Sequence, residues 1–392
     1  MNYSELCEIV KTAHALSFHA DYIPVDSPSD AAYFRVSPPT YAAEKKGDPS
    51  HYLITDQGEV RLDSPQSFAN RLENRILEAG ITPHFQIINP DDGTVLLDSR
   101  ELAHRCFDAY IRDSNLNDQP FFKSEIGLAL QNARAKNATA VFCCSPESLL
   151  FGAWDSHTGK GVLAARWRRC VTARIYGTNA KQRPGGTQKN DPLGITLDTG
   201  KMYLSAEGQI TLDPALATDE KENKKTTKTV SKKTVDAEKS TPKSGKKATE
   251  LGYGSIPGSN PDGVDVEKIV LQGAIHLGEL RKYAFPTEKG EAEDRDKAAR
   301  TALAALALWS VHATATDSLS LRSGCDLTYT EMNWLVRYGG GRDEAITLDN
   351  TTAMTILTEA IAALKQYDLA WNTKPINLVA SKTILEMACR SR

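Results

Sequence analysis

The 392-residue chain has no C-x-x-C pair, and its seven cysteines are an odd number. Cys143 and Cys144 are adjacent, a poor geometry for a disulfide or a shared metal site. The eight histidines show no H-x-x-x-H spacing, so no zinc helix is expected. No run of about 18 apolar residues occurs, which excludes a membrane-spanning helix. The N-terminal "MNYSELCEIVKTAHALSF" lacks a basic start and a continuous apolar stretch, so it does not read as a signal peptide. A reducing cytoplasm is the expected compartment. G-x-x-x-x-G-K-[ST] and G-x-S-x-G are both missing. "YGGGRDE" (338–344) is therefore a loop rather than a phosphate cradle. His104 and Asp108, four apart, are expected to form a structural pair. "WDSH" (154–157) is a poor dyad, because neighbouring side chains diverge. The cysteines have no activating partner nearby and read as core fillers. No catalytic residue, metal site or cofactor is expected.

What is present is a 40% hydrophobic chain with net charge −3. Any polyanion site must come from local clustering. Residues 156–190 hold no Asp or Glu but eight cations: Lys160, Arg166, Arg168, Arg169, Arg174, Lys181, Arg183 and Lys189. Read as a strand, "RWRRCVTARIY" puts Arg166, Arg168, Cys170, Thr172, Arg174 and Tyr176 on one face. Trp167, Arg169, Val171, Ala173 and Ile175 fall on the other. Guanidinium groups suit phosphate, glycines in "YGTNAKQRPGGTQK" allow close backbone approach, and aromatics stack on unpaired bases. Eight cations without a local counter-charge point to a bound anion, best a single-stranded nucleic acid. A solvated surface paired with acids elsewhere is the competing account.

The stretch "VRLDSPQSFANRLE" (60–73) predicts a helix from Pro65, capped by Asp63 or Ser64. Gln66, Ser67, Asn70, Arg71 and Glu73 line one side, and Phe68, Ala69, Leu72 and Ile76 the other. Further helices are expected at 1–18, 99–112, 124–136, 264–283, 292–315, 351–366 and 381–390. In the second of these, Glu101 is placed to complete a capping box with Asp98 or Ser99. Strands are expected within 31–62 and at 138–144, 148–154 and 162–176. The mixture lacks a regular βαβ repeat and indicates an α+β fold. Segment 219–250 carries ten lysines, six acids and no aromatic residue, and reads as a mobile insertion into one folded unit, 1–392. Its deletion should leave the fold intact.

Five stretches, "RLDSPQSFANRLE" (61–73), "HRCFDAYIRDS" (104–114), "SPESLLFGAWDSH" (145–157), "AARTALAALAL" (298–308) and "LRSGCDL" (321–327), resemble one family. It is the RAMP-superfamily backbone subunit of CRISPR interference complexes, of the type I-G branch (formerly I-U). The likeness runs in order from about residue 31 to 330, and the final 60 residues carry no matching motif. The resemblance implies a modified RNA-recognition-motif palm, a ferredoxin-like βαββαβ core with large insertions. It implies copies stacked head to tail into a helical filament along a CRISPR guide RNA. The guide's bases would then pair with a target DNA strand. Implied partners are the guide-processing subunit, the large subunit and, transiently, the helicase-nuclease of a Cascade complex. On this reading Arg166, Arg168, Arg169, Arg174, Lys181 and Arg183 grip phosphate, with Arg71, Asn70, Gln66, Arg322 and Arg35 as further RNA contacts. Arg322 is equally placed to pair with Asp326, and Glu73 is expected to have an intramolecular role, since its carboxylate would repel RNA unless paired with an arginine. Two alternatives stay open. One is a metal-dependent target-RNA-cleaving subunit using Asp155 or Asp191. The other is a globular interaction protein with no nucleic-acid role.

Overall fold

The computed structural model describes residues 1–41, 50–154, 166–183, 190–195, 201–205, 209–214, 247, 251–255, 262–287 and 292–390. They fall into two compact units. The first comprises Met1–Thr40, Tyr52–Gln182 and Gly263–Arg392, and the second Tyr41–His51 and Arg183–Asp262. The segment 219–250, apart from Lys247, lies outside the described residues.

The first helix, α1 (Tyr3–Thr12), starts with an Asn2–Glu5 capping box. It is shorter than the expected 1–18. From Ala15 the apolar residues recur every second position, and Leu16, Phe18, Ala20 and Tyr22 are buried in strand β1 (Ala15–Pro24). The period-two pattern outweighs helix propensity there. β2 (Val60–Asp63), β3 (Val171–Thr178), β4 (Lys268–His276), β5 (Leu319–Arg322) and β6 (Cys325–Arg337) complete an antiparallel sheet of order β5–β6–β1–β4–β3–β2. A seventh strand, β7 (Asp343–Ile346), pairs with the far end of β6.

Helix α2 (Pro65–Glu78) comes after β1 and the edge strand β2 and packs on β3. Helix α3 (Glu293–Ala315) follows β4 and packs on it. The chain order β1–α2–β3–β4–α3–β6 is βαββαβ. Its strands lie in the order fourth, first, third, second, which is the ferredoxin-like split βαβ. The expected α+β class and palm-type core are thus present. One face of the sheet is apolar and covered, with Phe18 and Trp334 in ring contact at 5.1 Å between centroids. Ser17, His19, Asp21, Thr172, Arg174, Tyr176, Gln272 and Asn333 stand on the opposite face and are partly or fully exposed. α3 is apolar nearly all round, and α1, α2 and α4 (Asn350–Leu364) pack against it. With Lys382–Arg390 these helices make the C-terminal third helix-rich.

Several local expectations are corrected. Residues 264–283 hold strand Val264–Val266, β4 and one short helix, Leu277–Leu280, rather than a long helix. The apolar, β-branched "IVL" fits a two-sided sheet position as well as a helix stripe. Residues 139–144 and 146–151 are helices, not strands, and only Ala153–Trp154 of the latter region is extended. Both helices are so buried that they carry no polar face to set a period. The region 99–112 breaks into turns and one short helix, because Arg105 adopts φ +53°. Its Asp98–Glu101 capping box is nevertheless present. Helix Glu125–Asn132 is shorter than the expected 124–136.

Candidate nucleic-acid interface

The polar side of α2 is where the expectation of a nucleic-acid face meets the geometry most directly. Ser64 caps the helix by accepting from the Ser67 N–H at 3.1 Å, and Pro65 occupies the first turn. Gln66 Nε2 donates to Asn70 Oδ1 at 3.0 Å. Arg169 donates to Gln66 Oε1, and Arg105 to Asn70 Oδ1 at 3.5 Å. Arg71 Nε donates to Asp63 Oδ2 at 3.0 Å, and its two terminal nitrogens donate to the Ser320 and Leu321 carbonyls at 3.0 and 3.3 Å. Arg75 pairs with Asp317. Each of these groups is bound within the chain. The dense polar face holds loops and β5 against the helix.

Beneath that face lies a buried polar cluster. Arg105 Nε sits 3.0 Å from Glu73 Oε2, and its NH1 donates to the Gly152 carbonyl at 2.7 Å. Glu73 thus has the intramolecular role expected of it. Burial pushes Glu73 up to about 7 against the pull of Arg105. Glu147 is buried without a cation of its own, and its carboxyl accepts from the Thr82 hydroxyl. Burial pushes it up to about 8. Cys106 packs here, 3.2 Å from Ser148 Oγ.

The cations of the basic stretch separate by position. Arg168 lies in the break between strand Arg166–Trp167 and β3, and its side chain is 75% exposed. Arg174 stands on the open face of β3, with its guanidinium 4.6 Å from the Tyr176 ring centroid. Lys181, exposed in strand Lys181–Gln182, places Nζ 5.5 Å from the Tyr33 ring centroid. Arg35 lies in the same three-stranded sheet, where Lys181, Asp265 and Arg35 are aligned across the strands. The alternation expected for 171–176 is present, but the chain breaks register before it and Cys170 is fully buried. Arg169 turns inward, donating to the Phe151 carbonyl at 3.2 Å and to Gln66. Arg183 is half-buried at the start of the second unit. Lys160, Lys189 and the side chain of Arg166 lie outside the described residues.

Counter-charges come from distant parts of the sequence. Glu279 is 3.5 Å from Arg168, Glu59 3.4 Å from Arg174, and Asp265 3.9 Å from Arg35. The absence of acids within 156–190 therefore does not leave Arg168 and Arg174 uncompensated. Arg322 does not pair with Asp326. It donates to the Ser37 and Leu62 carbonyls at 3.3 and 2.9 Å, while Asp326 accepts from Ser320. Arg61, Lys268 and Arg337 were not singled out by sequence, yet each is exposed on the main sheet. Arg61 pairs in register with Tyr176 and Lys268 with Thr178. Isolated in sequence, these three give no cluster signal.

The catalytic candidates have structural partners. Asp108 accepts from the backbone N–H groups of His104 and Tyr110 at 3.1 and 3.0 Å, so the pair is a cap rather than an imidazole contact. Asp191 accepts from the N–H groups of Leu193, Ile195 and Gly254, which hold its carboxyl below the usual range. Asp155 lies outside the described residues. Among those residues no group of three or more His, Cys, Asp or Glu is placed to hold a metal. Cys106, Cys144, Cys170 and Cys325 are buried as core fillers, whereas Cys389 is exposed. No helix of the described residues is long and apolar enough to cross a membrane.

Comparison with known families adds one finding. Residues 16–182, from β1 through strand Lys181–Gln182, match the family model described as CRISPR-associated protein GSU0053. This part of the chain is thus similar to a CRISPR-associated protein. A search of curated proteins gave no match.

Proposed function

We propose, starting from that match, that this chain is a guide-RNA-binding backbone subunit of a type I-G CRISPR interference complex. In this reading it is a scaffold with no bond-breaking role. It lies beside further copies of itself along the guide and leaves the bases free to pair with target DNA. The observation that carries the proposal is the strip of exposed cations and aromatics on and beside β3: Arg168, Arg174 with Tyr176, and Lys181 with Tyr33. It lies within the matched residues, with Arg174 and Tyr176 on the ferredoxin-like sheet and Lys181 on the three-stranded sheet. Phosphate contacts fix position without reading sequence, which is what a guide carrier needs. Stacked cation–aromatic pairs suit single strands, whose bases present open π-faces.

This reading differs from the sequence-level site in its membership. Gln66, Asn70, Arg71, Arg169 and Arg322 serve the fold, while Arg168, Arg174, Lys181 and Arg35 remain as RNA contacts. The test is to co-express the chain with a CRISPR array and its neighbouring subunits, purify the particle by size and sequence its nucleic acid. Protected RNA of guide length in a large particle is expected, and a monomeric peak free of nucleic acid would end the proposal. Replacing Arg168, Arg174 and Lys181 together with alanine should weaken single-stranded RNA binding. It should also flatten the slope of log K against log salt by roughly 2, at about 0.7 per phosphate contact. An unchanged slope would remove the strip from the interface.

A further inference from the structure

Two groups of arginines contrast in how they are held, while Arg100 and Arg337 are half-exposed and closely paired with Asp98 and Asp343. Arg71, Arg281 and Arg300 are mostly buried and multiply bound. Arg281 NH1 donates to the Val10 and Ala13 carbonyls, both at 2.7 Å, and Arg300 reaches Asp296 and the Tyr283 carbonyl, also at 2.7 Å. Arg168, Arg174 and Arg35 have side chains 75%, 51% and 63% exposed, and each faces a carboxylate at 3.5, 3.4 and 3.9 Å. Those separations exceed the roughly 2.7–2.9 Å of a charge-assisted hydrogen bond. The first group braces the fold. The second is held loosely; it includes arginines of the proposed RNA strip and of the small sheet, and also Arg342, 3.8 Å from Glu344.

We infer that Glu279, Glu59 and Asp265 are internal stand-ins for phosphate, occupying Arg168, Arg174 and Arg35 until a nucleic-acid backbone displaces them. The inference rests on the guide-RNA reading and names the residues that set its selectivity. Exposed ion pairs contribute little to stability, so exchanging one for a phosphate costs little. The phosphate gains a bidentate contact that the long carboxylate pair lacks. Glu279 on release keeps Lys282, whose Nζ lies 2.7 Å from the same Oε1, whereas a released carboxylate without a second cation recruits one from solution, which offsets part of the counterion release that drives binding. A free nucleotide or inorganic phosphate displaces one pair at a time. A continuous backbone displaces several in one event, so the carboxylates favour long polyanions over short ones. They also keep the strip from gathering adventitious anions in a molecule of net charge −3.

Full-length protein titrated with fluorescently labelled single-stranded RNA of guide length, at several salt concentrations, tests this. Glu279→Gln and Glu59→Gln should each bind about two- to fivefold tighter, with a steeper salt slope. Both should also bind inorganic phosphate more readily. Glu359→Gln makes the same charge change on an exposed position of α4 and should stay near wild type. In an Arg168→Ala, Lys282→Ala background the gain from Glu279→Gln should vanish, since these are the two cations paired with Glu279. An equal gain from Glu359→Gln would reduce the effect to net charge and overturn the inference. Weaker binding by both glutamine variants, with an unchanged melting temperature, would make the carboxylates positioning groups and overturn it too. If the wild type binds no RNA at any salt, the guide-RNA reading itself fails and this inference falls with it.

Discussion

Arg105 is the residue on which the α2 surroundings depend. It is 5% exposed, has a left-handed φ of +53°, and joins Glu73 on α2 to the Gly152 carbonyl. Alanine there would leave Glu73 buried without a cation, so Arg105→Ala should cost about 3–5 kcal/mol in urea unfolding. Glu147, with Glu73 raised to about 7 beside it, carries the pH dependence. Its pKa, raised to about 8 by burial, lies above the ordinary carboxylate value near ~4.3. The folded state thus holds this proton more tightly than the unfolded chain does. Its stabilisation is complete below ~4.3 and is lost as pH rises through about 8. The melting temperature should fall between roughly pH 5 and pH 8.5, at up to about 1.4 kcal/mol per pH unit from this group. Glu147→Gln, which cannot ionise, should flatten that fall. A profile identical to wild type would move the titration to another group.

At the scale of elements, the close packing of β1, β4 and β3 has a sharp test at Gly273. A Cβ there would lie 2.4 Å from the Phe18 ring, 2.5 Å from the Thr172 carbonyl oxygen and 2.6 Å from the Ala173 Cβ. Gly273→Ala should therefore lower stability by about 1–3 kcal/mol, measured by thermal and denaturant unfolding. A neutral outcome would mean that Phe18 yields at no cost. Such pairings decide which parts of the fold were legible in sequence. α2 was readable because Ser64, Pro65 and the Phe68–Leu72–Ile76 stripe all agree. α3 was readable because "ALAALALW" is apolar enough to be a buried helix. The helices at 139–144 and 146–151 were not, because burial on all sides erases the polar alternation that sets a period. β4 was missed because its strand character comes from pairing with β1 and β3, distant in sequence. The same limit applies to the interface. Arg174 and Tyr176 were legible as neighbours on one strand face. The partners that occupy Arg71 and Arg169, Ser320 and Gln66 among them, are not local in sequence, so their cation count overstated the free charge.

On the scale of the whole molecule, β1 is the hinge of the topology, paired on one side with β4 and on the other with β6. A chain ending at residue 318 would lose β5, β6 and β7, leaving β1 as an edge and Phe18 without Trp334. Such a truncation should be aggregation-prone and rapidly degraded in limited proteolysis, while the full chain resists. A soluble, protected 1–318 fragment would refute that account of the core. The same strand order sets a clock during synthesis. Ser17, whose hydroxyl meets the Leu335 carbonyl, is separated from it by 318 residues. At about 5–20 residues per second, the ribosome delivers β6 some ~15–60 s after β1. Through that interval Leu16, Phe18, Ala20 and Tyr22 wait without their final neighbour, so the nascent chain spends longer needing shelter from a chaperone than most chains of its size.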